Sequence, residues 1–267
     1  MGMTPTPKPQ IVAAYSAAAD HYDAPALRFW NYFGERTVKR AVLRPGEMVL
    51  DVCCGAGASA LPAACAVTPG GRVIGVDLAP PLLALARAKA AAQGVGNVEF
   101  RHADFDQVYF RPESFDAVVC VFGLFFFPDM AAALRKMWRF LRPGGRLVVT
   151  TWGPDSFEPG DTLFWDALRR ERPDLDQAHS ARKRLSESGA VEQVFAAAGI
   201  ANVETEAEDH QHAIESVEDW WTIVMGSSLR GRVDQLTVEE RERVREACLA
   251  LECRALRMPV VYTVARR

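Results

Sequence analysis

Val49-Leu50-Asp51-Val52-Cys53-Cys54-Gly55-Ala56-Gly57 is the stretch on which the reading of this chain turns. A short apolar run leads into Gly-x-Gly, and a helix-forming segment follows. The run predicts a strand, and the glycines let the backbone turn sharply and let a ligand approach the main chain closely. With Ala60, the loop satisfies Gly-x-Gly-x-x-Gly/Ala, a dinucleotide fingerprint that is weak on its own.

Outward from this loop the pattern is regular. A helix is predicted over 58–67, with Pro62 near its first turn, where proline does least damage. A turn at 68–71 and a strand over 72–76, ending in Asp77, come next. An Ala/Leu-rich helix over 80–93 is stopped by Gly94. Strands over 98–102, 116–122 and 146–152 follow, the last two separated by a helix over 130–141. Strand–helix alternation at this pace predicts an α/β fold with a doubly wound, parallel sheet covered on both faces. Ligands of such sheets bind beyond the C-terminal ends of the strands.

The flanks read differently. Helical spacing over 11–23 and 27–43 predicts an N-terminal helical cap, residues 11–45, before the core of 46–152. Residues 1–10 are rich in Pro and Thr and predict a flexible tail. Residues 153–176 mix Gly153, Pro154, Pro159 and Gly160 with Phe157, Phe164 and Trp165. That mixture predicts a loop covering something apolar, within a lid or substrate segment of 153–184; the alternative is a packed helix starting at Phe164 and Trp165. Residues 185–267 predict helices over 185–198, 217–229 and 238–256, and the last strands of the sheet over 203–212 and 259–264.

The chain has 267 residues, 31 Lys plus Arg against 34 Asp plus Glu, so no excess of positive charge favours a nucleic-acid backbone. No apolar run reaches the ~18 residues of a membrane span. The N-terminus lacks the apolar core of a secretory signal, so a cytoplasmic location is expected. The six cysteines form no CxxC pair and predict reduced, mostly buried thiols. Cys53 and Cys54 are adjacent on a strand and point to opposite faces. His210 and His212 share a face but show no third ligand, so no metal site is expected. Arg241, Arg243 and Arg245 among glutamates read as a solvated helix face.

Asp77 stands beyond the second strand, where a carboxylate can accept from both hydroxyls of a ribose; the alternative is an N-cap for the following helix. Asp51 argues against a dinucleotide, because a pyrophosphate on this loop would meet its negative charge, whereas a cation would be attracted. None of the five tyrosines has a lysine four residues on, so one common hydride-transfer pair is missing.

Leu50-Asp51-x-x-x-Gly55-x-Gly57 resembles the first motif of class I S-adenosylmethionine-dependent methyltransferases. Gly75-Val76-Asp77, Ala103-Asp104-Phe105, Phe115-Asp116-Ala117-Val118 and Leu141-Arg142-Pro143-Gly144-Gly145-Arg146-Leu147 resemble their later motifs, in order. Phe122-Gly123-Leu124-Phe125-Phe126-Phe127-Pro128-Asp129 resembles the ubiquinone/menaquinone-biosynthesis-like subgroup. The resemblance covers about residues 46–152 and implies a mainly parallel, Rossmann-like, seven-stranded sheet with N-terminal helices and a helical elaboration after strand five.

It also implies S-adenosyl-L-methionine as cofactor, with Gly55 and Gly57 along its methionine part and Asp51 facing the ammonium, directly or through water. Asp77 would take the ribose, Asp104 the adenine amino group, and Leu78 and Phe105 the two adenine faces. Val121 and Phe122 would lie beside the sulfonium, where a carbonyl and a ring face suit a cation. Tyr15 and Tyr22 lie on the helix that folds over the cofactor in this family. A small methyl acceptor, apolar or aromatic, would be walled by Trp30, Phe126 and Trp152, with Phe157, Trp220 and Trp221 as further wall candidates. His21 is the first candidate for a general base and Tyr15 the second. Two rivals stand beside methyl transfer: a cofactor-binding protein on the same scaffold with a cyclase-like or regulatory role, and a dinucleotide-dependent oxidoreductase. Oligomeric state is not legible.

Overall fold

The computed structural model describes residues 8–177 and 181–267, the side chains of 177, 181 and 182 excepted. Two N-terminal helices, α1 (Lys8–Ala18) and α2 (Phe29–Ala41), precede the sheet. Alternation then runs through β1 (Met48–Val52), α3 (Ala60–Ala66), β2 (Arg72–Asp77), α4 (Pro80–Ala92), β3 (Val98–His102), β4 (Phe115–Val121), α5 (Met130–Phe140) and β5 (Leu141–Trp152). After β5 come α6 (Gly160–Glu171), α7 (Ala190–Ala197), β6 (Val203–Ala213), α8 (Asp219–Met225), α9 (Arg230–Val233), α10 (Val238–Leu249) and β7 (Ala255–Arg266).

The seven strands form one sheet in the order β3-β2-β1-β4-β5-β7-β6. The first five are parallel, and β7 runs antiparallel between β5 and β6. This is the expected doubly wound, mainly parallel, seven-stranded architecture. Alternating residues serve opposite faces. Leu50, Val52, Val118, Cys120, Leu147 and Val149 pack with Leu134 and Met137 of α5. Val49, Val73 and Ala117 pack with Ala60 and Ala64 of α3 and Leu83 and Ala86 of α4. The strand order reverses between β1 and β4, so their C-terminal ends open a crevice there.

Several boundaries depart from the sequence expectation. Helix α1 starts at Lys8, inside the expected tail; residues 1–7 lie outside the described residues. Helix α1 also stops at Ala18, and turns carry the chain to Asp23. Of the segment 153–176, residues Gly160–Glu171 form a helix with Phe164 and Trp165 buried, so the packed-helix alternative holds there. The helix expected over 185–198 begins only at Ala190, after Gly189 with φ +78°. The helix expected over 217–229 breaks at Gly226, where an added Cβ would lie 2.5 Å from Leu27. The helix expected to reach 256 ends at Leu249, because β7 claims the chain from Ala255 through eleven paired positions with β6. Cys65 is exposed, against the expectation of mostly buried thiols, while Cys54, Cys120 and Cys248 are buried.

One close approach places the N-terminal cap on the loop after β1. A Cβ on Gly34 of α2 would lie 2.3 Å from the Ala58 carbonyl oxygen. Only hydrogen fits between that helix and the loop. Gly34→Ala should therefore destabilise the protein by about 1–3 kcal/mol, the usual cost of overpacking, despite alanine's better helix propensity. Urea unfolding of the two proteins checks this, and equal midpoints would contradict the close approach.

Candidate functional site

The loop after β1 is built on left-handed backbone. Cys53, Gly55 and Gly57 have φ of +60°, +49° and +84°. Cys53 is unusual there as a β-carbon-bearing residue. The turn aims the Gly55 N–H at Asp77, the last residue of β2, which accepts it through Oδ2 at 2.9 Å. The other carboxylate oxygen accepts the Ala79 N–H at 2.8 Å. Asp77 thus ties the first loop to the second. It does not cap α4, whose N-cap is Ala79. Burial pushes the Asp77 pKa up, and the N–H groups of Ala79, Gly55 and Leu78 only partly oppose it.

Between these loops and α1 lies a cavity of about 130 Å³. Of the residues singled out from sequence, Tyr15, Tyr22, Trp30, Gly55, Asp77, Leu78, Asp104, Phe105, Val121, Phe122 and Phe126 line it. Phe122, just past β4, has φ +53°, and its ring stacks on Trp152 at 3.9 Å between centroids. Tyr22 stacks on Trp30 at 5.4 Å with the rings 2° from parallel. A second, smaller cavity is lined by Tyr15, Trp30, Phe125, Phe126, Trp152, Phe157, Ile223, Ser227, Ser228 and Leu229. Tyr15, Trp30 and Phe126 belong to both.

Five expected residues fall elsewhere, two of them Trp220 and Trp221, which are buried in the core and line neither cavity. His21 lines neither cavity: its Nδ1 lies 2.5 Å from Asp20 Oδ1, and the side chain is 38% exposed. A general base must come within hydrogen-bond reach of its proton, so His21 is not placed for that work. Gly57 does not line the cavity either. A Cβ there would press on Leu61, Phe100 and Ala86 at 3.3–3.4 Å, so its glycine serves packing under the loop. Asp51 is fully buried, and the Ser59 hydroxyl stands between it and the cavity, donating to Oδ2 at 2.6 Å.

Sequence reasoning missed Lys8, Ile11, Val12, Cys53, Cys54, Ser59 and Leu82 in the first lining and Ser227, Ser228 and Leu229 in the second. Ser59 had a signal, a hydroxyl at the mouth of a helix facing an acid. Lys8 had none: it is one lysine in a proline-rich stretch. Its Nζ lies 2.9 Å from both oxygens of Asp104 and 2.5 Å from Asp106. Burial alone would raise the Asp104 pKa, but Lys8 and the Asp106 N–H outweigh it and hold it low.

The weaker sequence signals resolve as structural. His212 Nε2 pairs with the Ala26 carbonyl at 2.8 Å, and His210 stacks on Tyr32 at 4.3 Å. Among the described residues no group of three His, Cys, Asp or Glu is placed to hold a metal ion. A Cβ on Gly75 would meet Cys54 Sγ, whereas one on Gly123 would meet Cys53 and Cys120, so the adjacent thiols diverge.

A cofactor with a cationic amino-acid end and an adenosine end fits these residues. Asp51 Oδ1 is buried with no partner, an acid without its counter-charge. Gly55 keeps the loop thin where a Cβ would come within 3.4 Å of Tyr22 Oη. Leu78 and Phe105 offer apolar walls beside two carboxylates, Asp77 and Asp104.

Fold and site together define a nucleoside-cofactor enzyme built on a doubly wound sheet. A family model described as a methyltransferase domain matches residues 49–145. Nocamycin O-methyltransferase of Saccharothrix syringae is 32% identical over 76% of this chain and 77% of its own length. A demethylmenaquinone methyltransferase of Thermus thermophilus is 42% identical over 45% of this chain and 53% of its own length. Among solved structures, the YcgJ protein of Bacillus subtilis superposes with a TM-score of 0.60 at 20% identity, over 88% of this chain and 98% of that one. The chain belongs to the class I S-adenosylmethionine-dependent methyltransferases, and S-adenosyl-L-methionine is its cofactor.

Asp51 gives the site a pH signature. Burial raises its pKa to about 7, against the Ser59 hydrogen bond and with a contribution from Asp77. A carboxyl whose pKa is raised on folding stabilises the fold while protonated. That stability is lost as pH rises from the unfolded value, about 4, through about 7. Asp51→Asn should therefore stabilise the cofactor-free protein by about 1–3 kcal/mol at about pH 8, the scale of a buried group left unpaired. The gain should shrink toward about pH 4, where wild type is also neutral. Thermal melts across pH check it; a variant less stable at high pH would contradict the reading.

Proposed function

We propose that this methyltransferase acts on a small, apolar or aromatic molecule seated in the second cavity, with methyl transfer at the junction of the two. The observation that carries this reading is the shared wall of Tyr15, Trp30 and Phe126, which joins a polar-ended cavity to one lined mainly by aromatic rings. An apolar lining with few polar groups suits an apolar ligand oriented by one or two hydrogen bonds. The name of the Saccharothrix relative, an O-methyltransferase, favours oxygen as the attacking atom.

Bound in the larger cavity, S-adenosylmethionine supplies a methyl group on a positively charged sulfur. The protein's part is then binding, orientation and exclusion of water. Asp77 would accept from the ribose hydroxyls with the lone pairs that Gly55 and Ala79 leave free. Asp104 would accept from the adenine amino group, between Leu78 and Phe105. Gly55 would run along the amino-acid end, and Asp51 would balance its ammonium through Ser59. Val121 and Phe122 would lie beside the sulfonium. Tyr15 stands at the junction, where its phenol can orient an attacking hydroxyl by hydrogen bonding or, as the phenolate, take its proton. Helix α1 covers the larger cavity, and among the described residues of the segment 153–184 Phe157 lines the smaller one.

Transfer of labelled methyl from S-adenosylmethionine to members of a phenol, enol and polycyclic acid panel tests the substrate class. Cofactor binding without transfer to any member would favour the non-methylating reading of the scaffold. Asp77→Ala should weaken cofactor binding by about 1.5–3 kcal/mol, the range for charge-assisted hydrogen bonds, as read by calorimetry. Ser228→Phe, which fills only the smaller cavity, should cut transfer to a confirmed acceptor at least about tenfold while cofactor affinity stays within about twofold. Loss of cofactor affinity in that variant would sink the division of labour between the cavities.

A further inference from the structure

We infer, resting on the adenine placement proposed above, that Lys8 is a positioning residue that latches α1 across the adenine end of the cofactor cavity and thereby sets how long the spent cofactor stays bound. The helix is anchored unequally. Toward its C-terminal end, Ala14 and Ala18 are buried, and the backbone of α9 comes so close that a Cβ on Gly231 would lie 3.0 Å from Ala14. Asp20, two residues past α1, reaches Arg230 of α9 at 3.6 Å. Toward its N-terminal end no residue is buried in the core; Ile11 and Val12 face the cavity. Among the described residues, the ion pairs that tie that end across the opening are those of Lys8, on Asp104 and Asp106 of the loop after β3.

The position of Lys8 is costly for the helix itself. A cation in the first turn opposes the helix dipole, and no acidic residue offsets it there. Its favourable partners are on the other side of the cavity. Both Asp104 oxygens are engaged by Lys8, and the Asp106 N–H also donates to Asp104 at 3.0 Å. Lys136 holds the same loop by donating to the Phe105 and Asp106 carbonyls at 2.6 and 2.9 Å. The loop is therefore a fixed post, and Lys8 is the movable part. Asp104 lines the cavity and Asp106 does not, so the latch has one carboxylate inside the pocket and one outside it. A ligand leaving past the adenine end has to part Lys8 from both.

The test is the dissociation rate of S-adenosylhomocysteine from the whole protein, followed by stopped-flow displacement and tryptophan fluorescence. Lys8→Met should raise that rate about three- to tenfold, as expected for the loss of an ion pair shared by two carboxylates. Asp106→Asn should raise it in the same direction without altering the cavity wall, and Lys8→Arg should stay near wild type. Added salt should speed release in wild type and barely affect Lys8→Met. In the ligand-free protein, amides of α1 from Ile11 to Tyr15 should exchange faster in Lys8→Met, although that substitution removes a charge unfavourable to the helix. Equal release from wild type and Lys8→Met overturns the latch. So does an effect of Lys8→Met with none from Asp106→Asn, which would make Lys8 a direct ligand contact instead.

Discussion

The cofactor site depends on the Asp77 carboxylate, which accepts one N–H from the glycine loop after β1 and one from the loop after β2. Each loop alone would be a flexible connection between strand and helix. Tied through one carboxylate, they become two walls of a single pocket at a set spacing. The carboxylate is partly buried at the cavity wall, so it costs desolvation, and the tie persists because each oxygen has a backbone donor. The left-handed backbone at Gly55 is what turns its N–H toward the acid. Gly34, pressed on the Ala58 carbonyl from α2, holds the far side of the same loop.

A second scaffold is aromatic. Phe29, Trp30, Phe33, Phe122, Trp152 and Phe157 form a continuous cluster of ring contacts that runs from α2 across the ends of β4 and β5. Such rings are rigid and large, so they keep the smaller cavity open without polar supports. The polar pocket and the apolar one thus rest on different forces, carboxylate–amide ties in one and ring packing in the other.

The parallel core was legible because its signals are local: short apolar runs, glycine turns and acids at strand ends repeat with one period. Strands β2 and β3 needed at most one residue of adjustment. The segments after β5 were less legible because their structure is decided at a distance. Whether the chain from Ala255 continues a helix or becomes strand depends on β6, some forty to fifty residues earlier in the chain. In the site, Asp77, Asp104 and Phe105 could be placed from sequence because strand ends fix them. His21 could not, because one turn more or less of α1 decides which way it points, and the helix ends at Ala18. Lys8 and Ser228 carry no local signature and enter the linings only through tertiary packing.

The place of β7 bears on how the molecule is made. It is later in the chain than every element it joins, yet it sits between β5 and β6. While a ribosome is still delivering the preceding hundred residues, the parallel half can already be assembled, with the hydrogen-bonding edge of β5 open. The strand β6 cannot close that edge, because its own place is one strand further out. A nascent chain therefore carries an unsatisfied strand edge until β7 has emerged and inserted, and such edges invite pairing with other chains. The exposure of that edge is therefore set by how quickly β7 inserts, not by the equilibrium stability of the finished sheet.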